Sequence, residues 1–189
     1  MPSVVRALIP IRSFYGMTRL SHRLDSRDRA RLARDLADLT IRAALDAGTR
    51  VSVITADEEV QRWAAAAGTD VVVERFSRGL NAAATAGTKG VGSDPWLVIH
   101  ADLPTVDAGD IREAAHLVRG GHVIAPSHDG GTSVIGGTGS GFPFRYGPGS
   151  FRRHLAAISG DATILIRPGL ALDLDRPGDL SVFRRLGYL

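Results

Sequence analysis

The sequence predicts an α/β fold in which a mostly parallel central sheet is covered by helices on both faces. Short apolar runs, typical of buried strands, alternate along the chain with longer segments of helical periodicity. The connections between them are short, and strands that alternate with helices in this way pair in parallel. Because no linker, repeat or low-complexity segment interrupts the alternation, we expect a single domain over residues 1–189.

The predicted strands are apolar runs rich in valine and isoleucine and bounded by turn-forming or charged residues. Val4–Ile9 is the first of them, and Pro10 ends it. Five further runs fit the same description. They are Arg50–Thr55, Asp70–Glu74, Trp96–His100, Val123–Ala125 and a segment near Thr163–Arg167.

The predicted helices lie between the strands and begin or end at recognisable capping residues. In Ser26–Ala47 leucines recur at helical spacing, and Gly48 supplies the stop. Asp57 and Asp107 are typical N-cap residues of two further helices. The remaining helices are predicted at Asp57 to Ala67, Asn81–Gly87, Asp107 to Arg119, Phe151–Ile158 and Pro177–Leu186.

The stretch Gly130–Gly149 departs from this alternation. It is unusually rich in glycine and has no helical period, so we expect a hairpin or a long loop. The next residue, Ser150, is expected to be the N-cap of the following helix, because a serine hydroxyl satisfies a free backbone N–H at a helix start.

The composition excludes several classes of site and partner. With no cysteine, the chain has no disulfide, no thiolate metal site and no cysteine nucleophile. No apolar run approaches the roughly 20 residues of a membrane helix, and the N-terminus lacks a basic leader. We therefore expect a cytoplasmic protein without a membrane partner.

The basic residues give a net charge of +3 but do not predict nucleic-acid binding. Of the 23 lysines and arginines, Lys89 is the only lysine. Most arginines alternate with acids along predicted helix faces, which is typical of a solvated surface, and no basic run is interleaved with aromatic residues. We therefore expect no nucleic-acid partner.

Three carboxylates stand where predicted strands end. Ligands of open α/β sheets bind beyond the carboxyl ends of the strands, and Asp102 directly follows the fourth strand. Asp173 and Asp175 are two apart, so on an extended segment they point to the same side. Carboxylate oxygens are the ligands that Mg²⁺ prefers, and the three together predict a metal site of the two-metal type. Taken singly, Asp102 also fits a turn cap, and the pair fits an exposed edge strand.

Two arginines and a glycine-rich turn also follow predicted strands. Arg12 and Arg19 precede a helix N-terminus, an arrangement that suits a triphosphate, although surface arginines fit as well. Gly147, Gly149 and Ser150 would present backbone amides and a hydroxyl to an anion; the alternative is that glycines only permit tight turns. No histidine spacing indicates a metal site, and no Gly-x-Ser-x-Gly elbow indicates a covalent nucleophile.

Several short motifs occur together along the chain. In order, they are Ile9–Ile11, Thr18–Ser21, Gly79–Ala83, His100–Pro104, Asp129–Thr132, Tyr146–His154 and Leu172–Leu180. This combination resembles the 2-phospho-L-lactate / phosphoenolpyruvate guanylyltransferase family of coenzyme F-420 biosynthesis. The resemblance covers nearly the whole chain, and the later motifs are its specific part.

The resemblance implies a GT-A-like nucleotidyltransferase fold, GTP as donor, Mg²⁺ as cofactor and a phosphorylated three-carbon acid as acceptor. A phosphate oxygen of the acceptor would attack the α-phosphorus of GTP in line and release pyrophosphate. The implied residues are Asp102, Arg19 and Arg12 for catalysis; Thr132, Gly147 and Ser150 for the acceptor; Pro10, Gly79, Asn81 and Asp102 for the nucleotide; and Asp102, Asp173 and Asp175 for the metal.

Three positions depart from the pattern of that family. Arg12 and Met17 stand where we expect lysines, and Ser133 stands where we expect asparagine. Arg12 keeps the charge, whereas Met17 removes an expected contact with the GTP phosphates. The choice among 2-phospho-L-lactate, phosphoenolpyruvate and 3-phosphoglycerate stays open, and so does the oligomeric state, with a homodimer as one alternative.

Two other interpretations of the function remain. One is a GTP-binding homologue that has lost catalysis, which would bind GTP without turnover. The other is a guanylyl- or cytidylyltransferase of another pathway, such as the molybdenum-cofactor type. The Gly-Gly-Thr and Gly-Pro-Gly-Ser loops argue against the second.

Overall fold

A computed structural model of the chain describes residues 3–76 and 78–185. Seven strands within these residues form one sheet. They are β1 (Arg6–Pro10), β2 (Arg50–Thr55), β3 (Asp70–Val73), β4 (Pro95–Ile99), β5 (His122–Pro126), β6 (Thr132–Thr138) and β7 (Ala162–Ile164). Their spatial order is β3-β2-β1-β4-β6-β5-β7.

The helices lie between these strands and after them. They are α1 (Ser26–Asp46), α2 (Glu58–Ala66), α3 (Leu80–Lys89), α4 (Ala108–Leu117), α5 (Ser150–Ala157), α6 (Pro168–Ala171) and α7 (Pro177–Arg185). Two 3₁₀ turns, Thr18–Leu20 and Val118–Gly120, complete the set. None of the described helices is long and apolar enough to cross a membrane.

The strand pairing confirms the predicted α/β fold with a mostly parallel sheet. β1 pairs in parallel with β2 and β4, β2 with β3, and β5 with β7. Among the strands of residues 3–76 and 78–185, only β6 runs antiparallel, to β4 on one side and to β5 on the other.

Helices cover both faces of the sheet, as predicted. Successive residues of a strand point to opposite faces, so β1 shows both cores. Ala7 and Ile9 pack in one apolar cluster with α1, α2 and α4, whereas Leu8 packs in a second cluster with α3. This two-sided burial explains why the strands are nearly continuous apolar runs.

The glycine-rich stretch contains β6, which forms a hairpin with β5 and continues into the middle of the sheet. Gly136 permits that close approach, because a Cβ there would lie 2.6 Å from Leu97 Cδ2 and 2.9 Å from the Trp96 carbonyl oxygen. The stretch therefore supplies the second strand of the β5–β6 hairpin, which is a central strand of the sheet, and then forms a loop over residues 139–149.

Two of the three predicted N-caps are confirmed. The Asp57 carboxylate accepts backbone N–H groups at the start of α2, and Asp107 forms a capping box with Asp110 at the start of α4. The Ser150 prediction is wrong. Gly149 is the N-cap in a left-handed conformation (φ 66°), α5 begins at Ser150, and the serine hydroxyl bonds to Thr132 instead.

Smaller differences lie near the C-terminus. β7 is shorter than predicted, and the short helix α6 that follows it was not expected. The last helix ends at Arg185 within the described residues, and its predicted end, Leu186, lies outside them.

Candidate active site

Three adjoining cavities lie along the edge of the sheet where β1 and β4 end. The β1 cavity, about 220 Å³, is lined by the loop after β1, by α1 and by residues 100–102. The β3 cavity, about 350 Å³, is lined by Ile54, Glu74 and the start of α3. The β6 cavity, about 270 Å³, is lined by the turn before β6 and by residues 146–150. Leu80 lines all three, so the cavities meet around it.

Two carboxylates lie between the β1 and β6 cavities. Asp102 lines the first and Asp173 the second, and the backbone N–H of Leu174 donates to the Asp102 carbonyl at 3.0 Å. This hydrogen bond holds the segment that carries Asp173 beside the end of β4. The fold therefore brings together two of the three predicted metal ligands from positions far apart in the sequence.

Each of these carboxylates has a histidine within ion-pair distance: His128 Nδ1 lies 3.3 Å from Asp173 Oδ1, and His100 Nδ1 lies 3.8 Å from Asp102 Oδ1. Oδ1 of Asp102 and Oδ1 of Asp173 are buried without a hydrogen-bond partner in the described part of the protein. Burial raises the pKa of both carboxyl groups, and for Asp173 the charge of Asp102 raises it further. Carboxylate oxygens that form no hydrogen bond fit a hard divalent cation, which prefers oxygen ligands and favours the ionised form.

The third predicted ligand, Asp175, has a different partner. Its carboxylate accepts a hydrogen bond from the guanidinium of Arg19. Among residues 3–76 and 78–185, no group of three or more His, Asp or Glu side chains is arranged to hold a metal ion. Asp175 still lies within electrostatic reach of Asp102, because its charge helps to raise the pKa of the Asp102 carboxyl. The structure thus brings the three predicted carboxylates into one region, with Asp175 paired to the predicted catalytic Arg19.

The loop after β1 shapes the β1 cavity. Pro10 and Arg12 line both the β1 and the β3 cavity. Met17 also lines the β1 cavity and is the only described non-glycine residue with positive φ, at 52°. Met17 therefore combines an uncharged side chain with a strained backbone conformation in the wall of the cavity that Arg12 also lines.

Two of the nucleotide-binding residues expected from the resemblance, Gly79 and Asn81, lie at the start of α3. Gly79 is the N-cap of α3 and lines the β3 cavity. Asn81 does not line that cavity; its Oδ1 accepts the backbone N–H of Tyr146 at 2.6 Å and so ties α3 to the wall of the β6 cavity. Glu74, which sequence analysis did not single out, lines the β3 cavity, and burial raises its pKa.

The three predicted acceptor residues all line the β6 cavity. Thr132 and Ser150 are buried and joined by a hydrogen bond of 3.2 Å between their hydroxyls. Gly147 has φ 117°, a conformation that favours glycine. On the other wall, Oδ1 of Asp129 accepts from the Ser127 hydroxyl and the Gly131 N–H, contacts that lower its pKa.

Two histidines that sequence analysis set aside belong to this site. His100 lines both the β1 and β6 cavities, its ring centroid is 5.3 Å from that of Tyr146, and its Nε2 is buried without a partner among the described residues. His154 is fully buried behind the β6 cavity, 3.0 Å from Thr132. The signal for His100 was its position at the end of β4, two residues before Asp102.

A mostly parallel sheet with carboxylates between two cavities at its strand ends is the architecture of a nucleotidyltransferase. More narrowly, the chain belongs to the family described as "Guanylyl transferase CofC like", whose sequence model matches residues 5–180. The family resemblance expected from the motifs is confirmed.

Relatives of known name support the same family. The chain is 34% identical to a 3-phospho-D-glycerate guanylyltransferase of Phenylobacterium zucineum, over 93% of this chain and 88% of that protein. It is 32% identical to a phosphoenolpyruvate guanylyltransferase of Roseiflexus castenholzii, over 92% of this chain and 85% of that protein.

Solved structures share the fold at low sequence identity. A protein of Desulfovibrio desulfuricans G20, to which a nucleotide-diphospho-sugar transferase activity has been ascribed, superposes with a TM-score of 0.76 at 14% identity, covering 98% of this chain and 88% of that one. CMP:2-keto-3-deoxy-manno-octonic acid synthetase, solved with CTP, gives a TM-score of 0.63 at 15% identity, covering 98% of each chain. These similarities establish the fold.

Proposed function

We propose that this protein transfers GMP from GTP to a phosphorylated three-carbon acid and releases pyrophosphate. The observation that carries the proposal is the arrangement of the three cavities. The β3 and β1 cavities share Pro10 and Arg12, and His100 lines both the β1 and β6 cavities. One nucleotide can therefore span the first two cavities while an acceptor occupies the third.

The β3 cavity suits the guanine base. Ile54, Leu80 and Ala83 supply apolar walls, and Glu74 supplies a carboxylate. Guanine carries two adjacent N–H donors, on N1 and on the exocyclic amine, and a carboxylate accepts both. Burial raises the pKa of Glu74, which means that it disfavours the ionised carboxylate. Hydrogen bonds from the two guanine N–H groups would stabilise that ionised form.

The β1 cavity suits the triphosphate, and Arg12 there offers a planar guanidinium to phosphate oxygens. Asp102 and Asp173 would hold Mg²⁺, which neutralises phosphate charge when bound. In this proposal Asp175 becomes a third Mg²⁺ ligand when Arg19 leaves its carboxylate and binds the substrate.

The β6 cavity suits the acceptor. Thr132, Ser150 and the backbone of Gly147 face the cavity and can donate to an anion. From there a phosphate oxygen of the acceptor attacks the α-phosphorus of GTP, the bond to the β-phosphate breaks, and pyrophosphate leaves. His100, at the junction of the two cavities, is placed beside the transferred group. The rate acceleration comes from positioning the two substrates and neutralising the phosphate charge, and no covalent enzyme intermediate forms.

The choice of nucleotide tests this assignment of the cavities. Pyrophosphate release should be faster with GTP than with ITP, which lacks the exocyclic amine, and slowest with ATP. Glu74→Gln should narrow the preference for GTP over ITP by roughly tenfold, because an amide accepts only one of the two donors. An unchanged GTP to ITP ratio would exclude Glu74 from base recognition.

Met17 favours a second candidate, a GTP-binding homologue without turnover. An uncharged side chain stands in the β1 cavity where the family resemblance leads us to expect a lysine. Calorimetry that detects GTP binding, combined with no pyrophosphate release with any of the three acids, would support this alternative.

We also infer a cytoplasmic location. The oligomeric state stays a prediction, with a homodimer as one alternative. Light scattering on the purified chain measures its molar mass and distinguishes a 20.0 kDa monomer from a dimer.

A further inference from the structure

Three buried side chains form a hydrogen-bonded chain behind the β6 cavity. His154, Thr132 and Ser150 expose 0%, 1% and 2% of their surfaces. Nδ1 of His154 lies 3.0 Å from Thr132 Oγ1, and Oγ of Ser150 lies 3.2 Å from the same oxygen. Thr132 and Ser150 line the cavity, and His154 does not. Any effect of His154 on a bound molecule therefore passes through the two hydroxyls.

The second ring nitrogen fixes the tautomer of His154. Nε2 accepts the backbone N–H of Arg145 at 2.8 Å, so it carries a lone pair. Burial, and next the positive charge of Arg153, lower the pKa of His154 to about 4, so the ring is neutral at pH 7. A neutral ring with unprotonated Nε2 has its proton on Nδ1, and Nδ1–H donates to Thr132 Oγ1.

This tautomer decides where the hydroxyl protons point. In the opposite tautomer Nδ1 would accept the Thr132 proton and turn it away from the cavity. With Nδ1 as a donor, the bond between Thr132 and Ser150 uses one of the two hydroxyl protons. The other proton has no acceptor in the described part of the chain. Because both hydroxyls line the cavity, this proton is available to a molecule bound there.

We propose that His154 is a positioning residue for the acceptor: its Nδ1–H makes the Thr132–Ser150 pair present a hydroxyl donor to an anionic oxygen in the β6 cavity. The proposal rests on the proposed function for the identity of the acceptor. It extends that function to a residue that does not touch the substrate. It also explains why a buried histidine, rather than an apolar residue, lies behind the hydroxyls of Thr132 and Ser150.

The tautomer can be observed directly in the free protein. In ¹⁵N-histidine-labelled protein, long-range ¹H–¹⁵N correlation spectra report the protonation of each ring nitrogen, and the His154 signals are assigned by their loss in His154→Gln. We expect protonated Nδ1 and unprotonated Nε2, without titration between pH 5.5 and 8. A proton on Nε2, or a charged ring at pH 7, would overturn the proposal.

Two matched variants test the effect on the acceptor. Both remove the ring, but glutamine places its amide near the position of Nε2, whereas asparagine places its amide near Nδ1. His154→Gln should therefore keep the contact with Arg145 N–H and raise the acceptor KM by roughly three- to tenfold. His154→Asn should restore a donor to Thr132 and stay within about twofold of the parent. The KM for GTP should change in neither variant.

A double-mutant cycle shows whether His154 acts through Thr132. Thr132→Val raises the acceptor KM by itself, and adding His154→Gln should then have little further effect. Equal effects of the Gln and Asn variants, or additive effects with Thr132→Val, would reduce His154 to a packing role. The thermal midpoint of each variant serves as the folding control.

Equilibrium binding separates this proposal from the proposed function. Calorimetry with 2-phospho-L-lactate, phosphoenolpyruvate and 3-phosphoglycerate measures acceptor binding without turnover. If none of the three acids binds the parent protein while the spectra show the expected tautomer, the assigned acceptor is wrong and the hydrogen-bonded chain stands. If the parent binds an acid and His154→Gln binds it equally well, the positioning role is wrong.

Discussion

The guanidinium of Arg19 donates a hydrogen bond to the Asp175 carboxylate, although 156 residues separate them in the sequence. The residues next to them in the chain, Leu20 and Leu174, are fully buried in one apolar cluster. This packing brings Arg19 and Asp175 together. Arg19 also lines the β6 cavity. In the proposed function both partners have other ligands, phosphate for Arg19 and Mg²⁺ for Asp175, so substrate binding requires this ion pair to open.

Arg19→Gln should separate a catalytic role from a stabilising one. The Arg19 side chain is 63% exposed, and exposed ion pairs contribute about 1 kcal/mol or less to stability. We expect kcat/KM to fall by roughly a hundredfold while the free energy of unfolding changes little. Arg42→Gln, which breaks a comparable surface pair with Asp38, is the control and should leave both unchanged. Equal effects of the two substitutions would make the Arg19 pair merely structural.

Asp102→Asn should abolish turnover and leave the fold intact. The substitution replaces an anionic oxygen by a neutral isostere at a position where we propose a Mg²⁺ ligand, and we expect a loss of at least roughly a hundredfold in kcat. Circular dichroism checks the fold, and pyrophosphate release checks the rate. Near-parental activity with Mg²⁺ would leave Asp102 with only a structural role.

The same substitution should raise stability at neutral pH. Because burial raises the pKa of Asp102 in the folded protein, its ionised form disfavours folding. This destabilisation is absent below the ordinary carboxyl pKa of about 4 and grows as pH rises through the folded value. Without metal at pH 7, Asp102→Asn should melt higher than the parent, and the difference should shrink toward pH 4. A lower midpoint at pH 7 would contradict this account of the site.

Met17→Lys should strengthen GTP binding. Met17 lines the β1 cavity, where a lysine would add a charge facing the phosphates. We expect the KM for GTP to fall by roughly threefold or more, with the acceptor KM unchanged. Met17→Leu is the control. Leucine, like lysine, is not branched at Cβ, so it meets the same positive φ without adding a charge. If the lysine and leucine variants bind GTP equally, this loop does not contact the phosphates.

Gly147→Ala should weaken acceptor binding more than it weakens the fold. The new methyl group would strain a backbone of φ 117° in the turn that lines the β6 cavity, and it would lie 3.2 Å from an Arg153 guanidinium nitrogen. We expect this strain to displace the backbone amides that would meet the acceptor. Gly160→Ala introduces comparable strain, at φ 104°, outside the three cavities. Both variants should lose stability, and Gly147→Ala alone should raise the acceptor KM. Parallel effects on KM would remove the turn from the acceptor site.

Strands buried on both faces were predictable because such burial requires nearly continuous apolar runs, as in Trp96–Ile99. β6 was harder to predict, because glycine is unusual within a strand and is needed here only where neighbouring groups leave no space for a Cβ. At Gly137 a Cβ would lie 2.9 Å from the His122 ring, a constraint that only the folded sheet reveals. The cap at Ser150 was mispredicted for a related reason: the left-handed Gly149 takes the cap position and frees the hydroxyl for Thr132.

The candidate site was predictable where residues sit at strand ends and not where the fold brings distant residues together. Asp102 follows β4, so its position pointed to a ligand. His154 acquires its role only through Thr132 and Arg145, and no spacing in the sequence indicates those contacts. Likewise, the partner of Arg19 becomes visible only once Leu20 and Leu174 share a cluster.

The central claim is that this protein joins GMP to a phosphorylated three-carbon acid. The most direct test incubates the purified chain with GTP, Mg²⁺ and, separately, 2-phospho-L-lactate, phosphoenolpyruvate and 3-phosphoglycerate, and analyses each mixture by mass spectrometry. The account predicts a diphosphate-linked guanosine product with at least one acid, in amounts equal to the pyrophosphate released, and none with Asp102→Asn. No such product with any of the three acids, from protein that binds GTP, would contradict it.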